Sequence, residues 1–281
     1  MNFYRKHAII TGGSSGIGKA TAKLLASLGA NISIIARTQT VLEAAKVEIE
    51  TLCSHAEQRI IAIPADVADQ TQAEQAINAA IHQIGPPDLL ITSAGMAHPG
   101  YFQELPVEIF QSTMAINYFG SLYCIKAALP AMEQRGQGHI VMISSGAGLV
   151  GIYGYTPYSP TKFALRGLAE SLRGELKAAG IGVSIVYPPD TDTPQLEQEN
   201  KTKPLETKMI TSTAKTWSAE SVASQIVQGI HKKSFSITPG VEMTLLAKLH
   251  SLLSPGLSWY FDKIIAKARS EKALFKNLDV A

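Results

Sequence analysis

The sequence predicts an α/β fold in which a parallel sheet is wound by helices on both faces. Short apolar runs of strand character alternate with stretches whose apolar residues recur every three or four positions. The first run empties directly into a glycine-rich turn, as a strand leading into a helix does. Bulk agrees: 281 residues, 46% hydrophobic and 17% charged, can bury a sizeable core and exclude wholesale disorder.

In chain order, strands are expected at Ala8–Thr11, Ile32–Ala36, Ile60–Ile63, Leu89–Thr92, Ile140–Ile143 and Val183–Tyr187, with a short seventh at Phe235–Thr238. Helices are expected at Ile17–Leu28, Val41–Leu52, Gln72–Ile84 and Phe163–Ala178. Residues 190–216 are polar and carry Pro194 and Pro204, so they read as a mobile excursion beyond a strand end. Residues 217–233 return to a helical pattern. The chain divides at 240: residues 1–240 as a nucleotide-binding domain, and 241–281 as an amphipathic helical extension.

Charge and cysteine content narrow the function classes. Twenty-five Lys and Arg against 23 Asp and Glu leave a net +2, too balanced for a dedicated nucleic-acid binder. Cys53 and Cys124 make neither a disulfide framework nor a clustered metal site, so no metal is expected and a reduced, intracellular setting fits. The segment before Thr11 has no signal-peptide core and is not expected to span a membrane.

The glycine turn reads Thr11-Gly12-Gly13-Ser14-Ser15-Gly16-Ile17-Gly18-Lys19. Glycines let a backbone approach a pyrophosphate, and a helix N-terminus offers free N–H groups and partial positive charge. A P-loop is the near miss, but Ala20 stands where its metal-binding Ser or Thr belongs. The spacing Thr11-Gly12-x-x-x-Gly16-x-Gly18 resembles the short-chain dehydrogenase/reductase family. The resemblance implies a seven-stranded Rossmann sheet with a nicotinamide dinucleotide across its C-terminal edge. It places Thr11, Gly12, Ser14, Ser15, Gly16, Ile17 and Gly18 at the cofactor.

The second strand ends Ala36-Arg37, lacking the acid that usually holds a ribose 2′-hydroxyl and offering a cation instead. A guanidinium grips a 2′-phosphate through paired charged hydrogen bonds, with Ser14 and Ser15 nearby, so NADPH is the expected cofactor. By resemblance Asp66 contacts the adenine ring, its alternative role being a helix cap. Ala94 belongs to the turn Thr92-Ser93-Ala94-Gly95, where the family commonly has Asn-Asn-Ala-Gly. The turn survives, but contacts from those amides do not.

Tyr158 and Lys162 stand four residues apart, one helical turn, and can share a face. Reduction of a ketone needs a proton donor at the developing alkoxide. A neighbouring ammonium is expected to lower the phenol's pKa from its ordinary ~10. Ser145 lies 13 residues before Tyr158 and matches the family serine that hydrogen-bonds the substrate carbonyl, Ser144 being the adjacent alternative. By resemblance Asn117 holds a relay water against Lys162, Lys162 also binds the nicotinamide ribose, and Thr193 reaches the nicotinamide amide. Pro160 suits a helix start. Pro189 replaces a family glycine, and Asp192 or Thr193 is the natural cap before Pro194.

The segments 187–194, 199–207, 94–97 and 162–170 further resemble the 3-ketodihydrosphingosine (3-dehydrosphinganine) reductases of that family. This implies reduction of the C3 ketone of a long-chain amino ketone. Asp190 and Asp192 are candidates to face the substrate ammonium. A reductase of 3-oxoacyl-thioesters, steroids or retinoids, and a non-enzymatic NADPH-binding regulator, are the alternatives.

The tail carries Leu245, Leu246, Leu249, Leu252, Leu253, Leu257, Trp259, Tyr260, Phe261, Ile264 and Ile265, interrupted by Lys248, His250, Pro255-Gly256, Asp262 and Lys263. Lys267, Arg269, Lys272 and Lys276 follow, opposed by Glu271. Spanning is not expected; peripheral contact with an anionic membrane surface on the cytoplasmic side is, the alternative being a helix that packs on the fold or forms a dimer. The sequence leaves a homo-oligomer open.

Overall fold

The computed structural model describes residues 2–212 and 215–278, with side chains to residue 270. Strand β1 (His7–Thr11) leads to helix α1 (Gly16–Ser27), β2 (Asn31–Ala36), α2 (Gln39–Glu50), β3 (Ile60–Pro64), α3 (Gln70–Ile84) and β4 (Leu89–Thr92). Helix α4 (Val107–Met114) passes through a π-helical turn, Ala115–Phe119, into α5 (Gly120–Arg135) and β5 (Gly138–Ile143). A 3₁₀ turn at Gly146–Gly148 precedes α6 (Ser159–Leu176) and β6 (Ile181–Val186). Next come β7 (Thr191–Asp192), α7 (Pro194–Thr202), α8 (Leu205–Thr211), β8 (Trp217–Ser218), α9 (Ala219–His231), β9 (Ser236–Ile237) and α10 (Val241–Leu278).

Seven strands pair in parallel in the order β3-β2-β1-β4-β5-β6-β9. Ile9, Ile10, Ile32, Ile34, Ile35, Leu89, Leu90 and Ile91 are all fully buried, which explains why these strands read as unbroken apolar runs rather than alternating ones. One core layer sets Ile9, Ile35 and Leu90 against Ile77 of α3, Ile125 of α5 and Leu165 of α6. The other sets Ile10, Ile34 and Ile91 against Leu25 of α1, Leu42 of α2 and Ile226 of α9. The strand order reverses between β1 and β4, opening a crevice at their C-terminal ends, where α/β sheets bind ligands.

All seven expected strands are present, and each of the four expected helices is recovered within a few residues at its ends. The α4–α5 stretch was not expected as helix. Its apolar residues do not mark one clean face, and Pro130 lies inside α5.

The expected mobile excursion at 190–216 is corrected. Its described residues form α7 and α8, flanked by β7 and β8, which pair Thr191 with Trp217 and Asp192 with Ser218. The prolines begin the helices instead of breaking them: Pro194 occupies the first turn of α7 and Pro204 immediately precedes α8. Four of the polar residues, Glu199, Lys203, Glu206 and Thr207, are interior, while Glu197, Gln198, Asn200 and Lys201 face solvent.

Helix α10 runs through Pro255. Its first turns pack on the body: Leu246 and Ala247 join a core layer, and Arg166 reaches His250 at 3.3 Å. Leu245, Leu249, Leu252, Leu253, Trp259 and Tyr260 are exposed. The side chains of Glu271, Lys272 and Lys276 lie outside those described. Among the described residues, no helix is long and apolar enough to cross a membrane.

Candidate active site

The crevice is built from four strand ends. At the end of β1 the Thr11 hydroxyl accepts hydrogen bonds from the Ser93 and Ala94 amides, both at 3.2 Å. Its side chain therefore ties β1 to the turn after β4. Gly12 follows at φ +67°, and a Cβ there would lie 2.7 Å from the Ala94 amide nitrogen. Gly16 sits at φ +52°, where a Cβ would come within 3.0 Å of the Thr193 methyl. These two positions need glycine for both backbone conformation and space.

Ser15 precedes α1 in extended conformation and makes no side-chain capping bond. The first-turn amides of α1 are thus left for a ligand, in a cleft lined by Ser15, Gly16, Ile17 and Gly18. Lys19, which a P-loop would aim at phosphates, pairs with Glu48 at 3.0 Å on α2. Arg37 is exposed just beyond β2. Ser14, Arg37 and Asp66 do not line the enclosed part of the cleft. Asp66 accepts from the Ala68 amide at 3.0 Å, while the cap of α3 is Asp69, which accepts from Gln72 at 2.9 Å.

Strand β5 delivers Ser144 and Ser145, and α6 delivers Tyr158 and Lys162. The Ser144 hydroxyl donates to the Lys162 carbonyl at 3.1 Å, locking α6 to the strand end. Ser145 lines the cleft with Tyr158, its hydroxyl accepting from the Ala147 amide at 3.1 Å. Both serines line the cleft, but their hydroxyls take different partners. Tyr158 and Lys162 are both buried; Pro160 sits in the first turn of α6. The Lys162 ammonium donates to the Ile143 carbonyl at 3.0 Å and stands 5.3 Å from the Tyr158 ring centroid.

The expected lowering of the Tyr158 pKa is corrected. Burial pushes the phenol above its ordinary value and the Glu199 carboxylate pushes the same way, against hydrogen bonds from Ser145 and Gln195. The Lys162 ammonium does not outweigh these two. Burial likewise brings Lys162 itself down to about 8, with Glu199 opposing.

Asn117 is fully buried in the π-helical turn. Its carboxamide accepts from the Met96 amide at 2.8 Å and donates to the Met96 carbonyl at 3.0 Å and the Thr161 hydroxyl at 2.9 Å. The side chain therefore clamps the turn after β4 to α6, and reaches Lys162 only across Gly95.

Thr193 caps α7 by accepting from the Leu196 amide at 3.3 Å, and its methyl meets the glycine turn. Asp190 lines the cleft, but the buried Lys203 ammonium stands 3.9 Å away. Burial raises the Asp190 pKa and Lys203 opposes it. Asp192 is exposed and outside the cleft lining, so of the two candidate aspartates only Asp190 is at the site.

Three cleft residues escaped the sequence reading: Tyr155, Gln195 and Glu199. Tyr155 donates to Glu199 at 2.5 Å and Gln195 donates to it at 2.8 Å. The spacing of Gln195 and Glu199, one turn of α7, is a legible signal only once residues 194–202 are known to be helical.

The chain matches the family model for short chain dehydrogenases over residues 6–204. It is 43% identical over 250 residues to a 3-dehydrosphinganine reductase of Danio rerio, covering 89% of this chain and 75% of that one. To a 3-ketodihydrosphingosine reductase of Dictyostelium discoideum it is 43% identical over 275 residues, covering 93% and 82%. A short-chain dehydrogenase/reductase of Burkholderia phymatum, solved in complex with NAD, superposes with a TM-score of 0.79 at 24% identity, covering 89% of this chain and 93% of that one, a likeness of fold. Sequence match, sheet order and the crevice at β1 and β4 agree: the chain belongs to the short-chain dehydrogenase/reductase family.

Proposed function

We propose that this protein reduces the C3 ketone of 3-ketodihydrosphingosine with NADPH. The observation that carries the chemistry is the buried Tyr158 phenol beside Ser145, in the same cleft as the uncapped start of α1. The names of its 43%-identical relatives support the substrate. The glycine cradle and free amides fit a dinucleotide pyrophosphate, and when bound the nicotinamide supplies a hydride to the carbonyl carbon.

The chain's own residues handle the oxygen. Ser145 hydrogen-bonds the carbonyl, and Tyr158 donates its proton as negative charge develops there. Burial keeps the phenol protonated, and the developing alkoxide is a strong enough base to take its proton. Lys162 holds the ribose and places a positive charge beside the phenol. Asn117 acts through position, keeping the β4 turn and α6 in register. Arg37, beyond β2, is the residue for the 2′-phosphate; Thr193 and Ala94 border the cofactor, and Asp66 closes the turn at its adenine end. NADPH oxidation followed with a panel of ketones tests the reading. Turnover of an acyl-thioester but not of the sphingoid ketone would replace this substrate with the runner-up.

The exposed apolar face of α10 supports peripheral docking on an anionic membrane surface on the cytoplasmic side. Leu252 and Trp259 project from that face, and the Lys263 ammonium lies 3.7 Å from the Trp259 ring centroid. Apolar and aromatic side chains beside basic ones match a headgroup boundary. An enzyme so placed receives a lipid substrate without moving its alkyl chain through water.

A further inference from the structure

We infer that Glu199 is the residue that binds the substrate's ammonium group and so selects an α-amino ketone over a plain one. This rests on the reading of the site as a sphingoid ketone reductase. Glu199 is 7% exposed, lines the cleft, and among the described residues has no cation within ion-pairing distance. The partners on its carboxylate are neutral: the Tyr155 hydroxyl at 2.5 Å on one oxygen and the Gln195 amide at 2.8 Å on the other. A carboxylate out of water is stabilised by a paired positive charge; Lys162 acts on Glu199 through space, and among the described residues no cation contacts it directly.

The placement suits the chemistry of the substrate. Gln195 donates to Glu199, and Tyr158, Gln195 and Glu199 line the same cleft, so the carboxylate and the proton donor face one bound substrate. In an α-amino ketone the ammonium and the carbonyl oxygen sit on adjacent carbons. With the oxygen at Tyr158 and Ser145, the ammonium falls on the side where Gln195 and Tyr155 hold Glu199. The Tyr155 ring, which holds Glu199 through its hydroxyl, stands 5.7 Å from that of Tyr158 and lines the same cleft.

The other acids are less suited. Asp190 already faces the Lys203 ammonium. Asp192 is exposed. Glu206 is buried but accepts from the Tyr101 hydroxyl at 2.9 Å and does not line the cleft.

The test compares kcat/KM for 3-ketodihydrosphingosine with kcat/KM for the same ketone lacking its amine, and for the N-acetylated ketone. The full-length wild-type enzyme should prefer the free amine by about 10²-fold, the scale of leaving one buried charge unpaired. Glu199→Gln keeps the shape and one of the two acceptor oxygens that Tyr155 and Gln195 donate to, and should bring that ratio close to one. A purely structural role would lower both rates and leave the ratio unchanged. Either an unchanged ratio in Glu199→Gln or equal use of all three ketones by wild type overturns the inference; the second arm needs no variant to fold. If wild type oxidises NADPH with none of the amino ketone, the functional reading itself fails, and the inference with it. Reduction of the amino ketone without discrimination refutes only the role of Glu199.

Discussion

Two histidines in the strands that carry the site should make this protein acid-sensitive. His7 in β1 is buried, with its ring nitrogens against the Gly85 carbonyl at 2.6 Å and the Ser33 hydroxyl at 2.7 Å. His139 in β5 is buried against the Ser184 hydroxyl at 2.7 Å. Burial lowers each from the ordinary 6.5 to about 4; the Gly85 carbonyl and Asp88 partly oppose it at His7, while Lys233 adds to it at His139. The folded state therefore keeps both rings neutral where the unfolded chain takes up protons. Stability from this source is full above pH 6.5 and is lost as pH falls toward 4.

At pH 5 the unfolded rings are almost fully protonated and the folded ones mostly neutral, which costs about 2 kcal/mol per histidine. Together they remove about 4 kcal/mol, a large part of a typical total of about 5–15 kcal/mol. Asp88, which accepts from the His7 amide, has its pKa lowered by that bond and by Arg135 and Lys6 despite burial. Its contribution is lost only as pH falls through the carboxylate range, and so leaves the interval from pH 7.5 to 5 to the histidines.

Urea unfolding at pH 7.5 and 5.0 measures the loss, and His139→Gln should reduce the difference by about 2 kcal/mol. Saturation with NADPH at about 100 times its Kd should restore about 2.7 kcal/mol at either pH. Imidazole resonances of His7 and His139 that titrate near 6.5 in the folded protein would refute the argument, as would a pH-independent stability.

Other outcomes follow from the site and the tail. Tyr158→Phe should lower turnover by about 10²–10⁴-fold with NADPH binding retained, measured by NADPH oxidation and fluorescence titration; near-wild-type turnover would remove Tyr158 from its role. Arg37→Ala should abolish most of the preference for NADPH over NADH in kcat/KM, since Thr38, Gln39, Thr40 and Val41 supply no second cation; an unchanged preference would reject the assignment. Full-length protein should float with anionic liposomes and a chain ending at Gly240 should not; equal recovery of both in the unbound fraction, with the shorter chain still folded, would make α10 a packing element.

Much of the architecture was legible because it depends on local pattern. Strands buried on both faces must be continuously apolar, and Ile32–Ala36 or Leu89–Thr92 cannot be read otherwise. Gly12 and Gly16 are visible because a turn this tight, approached by Ala94 and Thr193, admits no side chain. Tyr158 and Lys162 announce themselves by helical spacing, and Ser145 by its place after a strand. Residues 190–212 were misread for an equally physical reason. Polar residues signal solvent only when nothing inside satisfies them, and here Lys203 meets Asp190, Tyr101 meets Glu206 and Tyr155 meets Glu199.

The sequence by itself determined the sheet, the nucleotide-binding turn and the membership of Tyr158, Lys162 and Ser145 in one site, because each rests on neighbours a few residues apart. Tertiary structure alone decided which acid remains without a cation. Asp190, Asp192 and Glu199 are equivalent as letters; folding brings Lys203 to the first, leaves the second in solvent, and buries the third between Tyr155 and Gln195. It also decided the state of the Tyr158 phenol. Burial and Glu199, 41 residues away in sequence, raise its pKa and outweigh the neighbouring lysine one turn away. Desolvation and long-range charge depend on what the whole chain packs around a group, and spacing along the chain does not carry that information.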